Sequence, residues 1–170
     1  MSKTRLNKLA MAAMFTALCC VSTMVMFPIP TGGYVHPGDA IVLVTGWLLG
    51  PVYGTFAAAL GSALADLFLG YAVYAPGTFV IKALVALCAC LIHSGLRKGN
   101  RVLSGIVSGL IAEIIMVLGY FLYAAVVFGE GLSAFAATVP ANSLQGAFGV
   151  AVGVPLLILL EKLLSKINRG

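Results

Sequence analysis

The stretch from Asp39 to Asp66 reads DAIVLVTGWLLGPVYGTFAAALGSALAD, and its interpretation decides the fold. It is apolar almost throughout, its charges lie at its two ends, and Gly50-Pro51 interrupts its middle. At 1.5 Å per residue, positions 39–49 cover only about 16 Å, roughly half of the hydrocarbon core of a bilayer. The stretch is therefore either one long kinked helix or two short helices joined by a tight turn.

The composition of the chain is that of a membrane protein. Hydrophobic residues make up 61% of the 170 positions and charged residues only 9%, whereas soluble domains average about 45–50% and about 25%. Since a membrane helix needs roughly 20 apolar residues, the chain has room for about six or seven short spans and no soluble catalytic domain. The basic residues form no continuous stripe, which argues against a nucleic-acid partner.

The distribution of basic residues favours two helices within the opening stretch. Lys82 stands alone, and the other Lys and Arg residues form three clusters: Lys3, Arg5 and Lys8; Arg97, Lys98 and Arg101; Lys162, Lys166 and Arg169. A turn at Gly50-Pro51 places all three clusters on one side, as the positive-inside rule expects. We therefore predict a single all-α membrane domain, 1–170, with both termini cytoplasmic. Its six transmembrane helices are expected at 8–27, 39–49, 52–70, 77–95, 102–128 and 138–161.

Catalytic and metal-binding motifs are not apparent in the sequence. His36 and His93 are predicted on opposite sides of the membrane, so they cannot share a metal. There is no His-Glu-x-x-His helix, no recognisable nucleophile turn and no phosphate-binding glycine loop followed by Lys and Ser or Thr. The four cysteines lie in apolar runs and are interpreted as packing residues. We expect neither an enzyme nor a cofactor.

The polar residues within the spans converge near the predicted outer surface, except for Glu113, which lies near mid-membrane. An ionised side chain at membrane depth costs several kcal/mol unless it is paired or hydrated, so these residues should face the bundle interior. Several structural alternatives stay open: an ion pair of Lys82 with Asp66, a protonated Glu113, or amides that only cross-link helices. The tyrosines could also form an interfacial aromatic belt.

Five segments, in this order and spacing, resemble the S components of energy-coupling factor (ECF) vitamin transporters. They are GYVHPGD (33–39), LLGPVYG (48–54), GSALAD (61–66), FVIK (79–82) and PANSLQG (140–146). The resemblance implies a six-helix subunit of the plasma membrane, expected to be bacterial, that captures a vitamin from outside. It also implies docking onto a membrane coupling subunit that carries two cytoplasmic ATPases.

The resemblance assigns candidate residues to two roles. The substrate-binding candidates are His36, Asp66, Lys82, Glu113, Asn142 and Gln145, and Tyr120 joins them because it shares a helix face with Glu113. The docking candidates are Ala13 and Ala17, which match an Ala-xxx-Ala motif of the family on the first helix. The loop 28–38 is expected to close over the bound vitamin, after which the body of the protein topples in the membrane.

Two chemical types of vitamin are candidates for the ligand. A small pyridine or pyrimidine, such as pyridoxine or hydroxymethylpyrimidine, suits the charged and amide groups, whereas riboflavin needs a wide apolar slot. Trp47 is predicted at the cytoplasmic end of its span and is not expected to stack on the ligand. The competing functional class is a self-sufficient carrier or channel that works as an oligomer.

Overall fold

The computed structural model describes residues 3–28 and 34–167, which form a bundle of long helices. The helices are α1 (Lys3–Met24), α2 (Gly38–Phe68), α3 (Ala75–Leu96), α4 (Arg101–Leu122) and α5 (Ala134–Ile167). A π-helical turn, Tyr123–Val127, continues α4, and a 3-10 turn, Gly131–Ser133, precedes α5. Within the described residues, five helical segments are long and apolar enough to cross a membrane.

A short β-ladder is the one departure from an all-helical chain in the described residues. Strands β1 (Phe27–Pro28) and β2 (Tyr34–Val35) pair antiparallel between α1 and α2, with Phe27 opposite Val35. The sequence predicted a loop over 28–38, and its residues 29–33 lie outside the described part. The ladder pairs residues 27–28 with residues 34–35.

Helix α2 reverses direction at Gly50, where the predicted turn lies. A Cβ atom placed on Gly54 would lie 2.6 Å from the carbonyl oxygen of Thr45 and 3.1 Å from the Cα of Gly46. In a continuous helix, residues nine apart are separated by about 13.5 Å along the axis. The arms 38–49 and 51–68 are therefore antiparallel. Gly50 has φ +82° and ψ −178°, a conformation that is open in practice only to glycine.

The apolar core fills the centre of the bundle, between both arms of α2 and the other helices. Leu43, Met116 and Leu157 are almost completely buried there. Trp47 is 6% exposed and donates a hydrogen bond from Nε1 to Ser108 Oγ at 3.0 Å, so its ring is part of this core. Large apolar side chains also cover the outside of the bundle, as expected where the solvent is lipid.

The basic clusters gather at one end of the bundle. At this end Nη1 of Arg101, which begins α4, lies 3.2 Å from Oε2 of Glu161, near the end of α5. Ser104, one turn into α4, bonds the carbonyl of His93 near the end of α3. The C-terminal end of α1 packs at Thr23 against Gly38, which begins α2. The basic N-terminal end of α1 therefore lies at the same end of the bundle as the Gly50 turn. Arg169 lies outside the described residues.

The largest boundary difference concerns α5, which was predicted at 138–161 and is found at Ala134–Ile167. Pro140 was expected to flank a connector, but it lies inside the helix, as does Pro155. Each proline removes one helical hydrogen bond, and membrane helices tolerate this because neighbouring groups can satisfy the freed carbonyl. Breaking the helix would leave more backbone groups without partners, so the longer helix is favoured.

Candidate functional site

A cavity of about 320 Å³ lies at the end of the bundle opposite the basic clusters. Asp39 and Asp66 both line it, although they would lie about 40 Å apart if α2 were straight. The reversal at Gly50 therefore builds the cavity. Tyrosine rings from β2, the α2–α3 connection and α4 form much of the wall: Tyr34, Tyr71, Tyr74 and Tyr120.

A buried ion pair forms the inner wall. Lys82 Nζ donates to Asp39 Oδ1, and the two side chains are 4% and 0% exposed. The lysine also lies 3.0 Å from Met116 Sδ and 5.5 Å from the centroid of the Tyr120 ring. The partner of Lys82 is thus Asp39, and the alternative pairing with Asp66 is wrong. Sequence reasoning placed Asp39 at the outer end of its span, as it did Lys82, but did not include it among the site residues.

Gln145 connects α5 to the segment that precedes α2. The backbone N–H of His36 donates to Gln145 Oε1 at 2.9 Å, and Gln145 Nε2 donates to the His36 carbonyl at 2.8 Å. The same Nε2 donates to Asp39 Oδ2 at 3.0 Å. Burial lowers the pKa of His36 to about 4; Asp39 opposes this shift and Lys82 reinforces it, so the ring is neutral at pH 7.

Asp66 offers an acceptor that the described part of the chain does not use. Its Oδ2 atom is buried and has no hydrogen-bond partner within the described residues. Thr78 lies beside it and forms a 3.0 Å hydrogen bond with the hydroxyl of Tyr120. Asn142 also lines the cavity and donates to the carbonyl of Thr138 at 3.0 Å. A buried acceptor without a partner is costly, so this oxygen is suited to a donor supplied by a ligand.

Among the described residues, six of the seven predicted substrate-binding side chains line the cavity, and Glu113 does not. Glu113 is 4% exposed, and neither of its carboxylate oxygens has a hydrogen-bond partner in the described part of the chain. A Cβ placed on Gly149 would lie 2.9 Å from Asp39 Cβ and 3.4 Å from Glu113 Oε1. Glu113 therefore lies behind the ion pair, against α5, about one turn deeper in the bundle than Met116 and about two turns deeper than Tyr120.

The predicted docking residues lie outside the cavity. Ala13 and Ala17 are exposed on α1, next to the exposed side chains of Met14 and Leu18. Their surface is available to a partner helix, and their docking role stays a prediction. Within the described residues, no group of three or more His, Cys, Asp or Glu side chains could hold a metal ion.

The fold and the cavity define a membrane-embedded helical protein with a tyrosine-lined cavity that contains polar groups at one end. Residues 3–162 match the family described as "ECF-type riboflavin transporter, S component". This chain belongs to that family, which confirms the resemblance inferred from its sequence.

Two further comparisons found similar chains, and the solved structure among them shares the fold. A solved chain described as "Structure and mechanism of the S component of a bacterial ECF transporter" is similar in fold, with a TM-score of 0.67 and 20% identity. The similarity covers 98% of this chain and 99% of that one. An uncharacterized protein from Pyrococcus woesei, described as lying in a gap 3' region, is 35% identical over 147 residues. Those residues are 86% of this chain and 95% of the relative.

Proposed function

We propose that this chain is the riboflavin-binding subunit of an ECF-type importer. The observation that carries the proposal is the cavity, in which aromatic walls meet a buried ion pair and a carboxylate oxygen that no described residue bonds. Such a site suits a solute that combines an apolar ring system with several hydrogen-bonding groups. The family to which the chain belongs supports riboflavin as that solute.

The size and lining of the cavity are compatible with a large ring. Its volume of about 320 Å³ falls within the range of roughly 300–1,000 Å³ that is usual for small-molecule sites. Tyr71 and Tyr74 are in edge-to-face contact, with ring centroids 6.4 Å apart, and Leu69 and Met116 add apolar surface. The isoalloxazine ring is proposed to lie against these residues, with a ribityl hydroxyl donating to Asp66. A pyridoxine-like or hydroxymethylpyrimidine-like ligand is the second candidate, favoured by the charged inner wall.

The proposed orientation has six membrane crossings, with both termini in the cytoplasm of the cell. The reversal of α2 at Gly50 supports the even number of crossings. The three basic clusters, as far as the structure describes them, lie at one end, which supports the cytoplasmic assignment of that end. The cavity at the opposite end would then receive its ligand from outside the plasma membrane.

ATP hydrolysis is assigned to partner proteins in this proposal, and no reaction is assigned to the chain itself. The partners are a membrane coupling subunit and two cytoplasmic ATPases, as expected for an S component. The exposed Ala13 and Ala17 on α1 support a helix-to-helix contact with the coupling subunit, because small residues allow two helices to approach closely in lipid.

The test is equilibrium binding to the purified chain in detergent, without any ATPase. Quenching of riboflavin fluorescence measures its binding, and calorimetry measures pyridoxine and hydroxymethylpyrimidine. We expect tight riboflavin binding, weakened about 10- to 100-fold by Asp66→Asn, since a hydrogen bond to a charged acceptor contributes about 1.5–3 kcal/mol. Glu161→Gln, at the opposite end, is the matched control and should bind normally.

Each outcome of this test separates the candidates. If pyridoxine or hydroxymethylpyrimidine binds tightly and riboflavin does not bind, the substrate is the second candidate and not riboflavin. If no vitamin binds and the chain alone transports solutes into liposomes, the self-sufficient carrier would replace the S component.

A further inference from the structure

Gln145 joins parts of the chain that are far apart in sequence. Its side chain bonds the backbone of His36, 109 residues away, and the carboxylate of Asp39, 106 residues away. Gln145 is itself buried, with 4% of its surface exposed. One amide therefore connects α5 both to the segment before α2 and to the ion pair of the inner wall.

The hydrogen-bonding capacity of this amide is occupied by the protein. A glutamine side chain has one carbonyl oxygen and two N–H donors. Its oxygen accepts from the His36 N–H, and Nε2 donates to the His36 carbonyl and to Asp39 Oδ2, at 2.8 and 3.0 Å. A longer contact of 3.4 Å joins Nε2 to His36 Nδ1. Both donors are thus used on the protein, which leaves none for a ligand.

We infer that Gln145 is a positioning residue that holds His36 as a wall of the cavity and orients Asp39 toward Lys82. Gln145 bonds both the N–H and the carbonyl of His36, as paired residues do in a β-ladder. Two such bonds fix the position of the His36 segment relative to α5 as well as its distance from α5. Without them, the His36 backbone would lose both bonds to α5. The expected functional consequence is a longer residence time of the bound ligand, and this part rests on the proposed function.

Two variants test the role of Gln145 without assuming any ligand. Gln145→Met keeps the length of the side chain and removes all three hydrogen bonds; Gln145→Glu keeps one acceptor and removes both donors. The readout is hydrogen exchange of the His36 backbone amide, measured in the ligand-free protein. Asn142→Ala is the matched control, since Asn142 lies one turn earlier on α5 and, among the described residues, bonds the carbonyl of Thr138 in its own helix.

We expect the His36 amide to exchange slowly in the wild-type protein and at least about tenfold faster in Gln145→Met, because its acceptor is gone. The Asn142→Ala control should leave this exchange unchanged. For riboflavin, Gln145→Met should dissociate at least about tenfold faster while its association rate changes less than about threefold.

Exchange at His36 that stays within twofold of the wild-type rate would refute the positioning role. Slower association with unchanged dissociation would also refute it. Should neither variant fold, the wild-type amide still decides, since exchange as fast as in an unstructured peptide contradicts the paired hydrogen bonds. A wild-type protein that binds no riboflavin would refute the proposed function alone, because the exchange experiment contains no ligand.

Discussion

Replacing Lys82 with methionine should leave a carboxylate without its counter-charge inside the bundle. The side chain of Asp39 is 0% exposed and that of Lys82 is 4% exposed, so water cannot solvate the charge that remains. Removing one partner of a buried ion pair costs about 3–5 kcal/mol. The retained hydrogen bond from Gln145 to Asp39 should keep the loss near the lower end, about 3 kcal/mol. With roughly 2–4 °C per kcal/mol for a chain of this length, the melting temperature should fall by about 6–12 °C.

The assay is thermal unfolding in detergent, followed by a thiol-reactive dye that reports exposure of the buried Cys19 and Cys90. Asp39→Asn should destabilise the protein to a similar extent, because it leaves an unpaired ammonium. The double variant carries neither charge and should recover to within about 1 kcal/mol of the wild-type stability. Asp66→Asn is the matched control: it removes a carboxylate from the same cavity but not from this ion pair.

Two results would refute this reasoning. Single variants that each cost less than about 1 kcal/mol would show that the pair is not buried in the folded protein. A double variant that loses the sum of the two single losses would show that the two side chains act independently and are not paired.

Three further predictions concern the turn, the loop and the docking face. Gly50→Ala should destabilise by about 1–3 kcal/mol in the same unfolding assay through its backbone conformation alone, since a Cβ there meets no atom of the described residues within 4 Å; Gly95→Ala, equally open but helical, should cost nothing. Because the pKa of His36 is lowered to about 4 in the folded protein, His36 stabilises the fold fully above pH 6.5 and progressively less as the pH falls toward 4. His36→Asn should make the free energy of unfolding depend less on pH between 6.5 and 4, and an unchanged pH dependence would contradict this prediction. Ala13→Trp and Ala17→Trp should leave riboflavin binding intact and abolish ATP-driven uptake by the assembled complex; normal uptake would place the docking face elsewhere.

Several features of the fold could be predicted because their signals are local in sequence. Hydropathy locates the apolar helices to within six residues of their observed bounds, and Gly50-Pro51 marks the reversal of α2. The distribution of basic residues indicates which ends lie together, and Arg101 beside Glu161 agrees with it. The convergence of polar residues at the other end follows from the same topology, since depth along each helix can be counted from its residues.

Hydropathy and turn residues, whose effects are short-range, therefore suffice to predict a membrane bundle with polar residues at one end. Only the tertiary structure decided which groups meet there: Asp39, and not Asp66, pairs with Lys82 across 43 residues. The structure also shows that Glu113 lies behind this pair and that Gln145 accepts a hydrogen bond from the His36 backbone. The physical reason is that hydropathy sets the depth of a residue in the membrane, whereas its contacts depend on how each helix is rotated and packed, which many distant residues decide together.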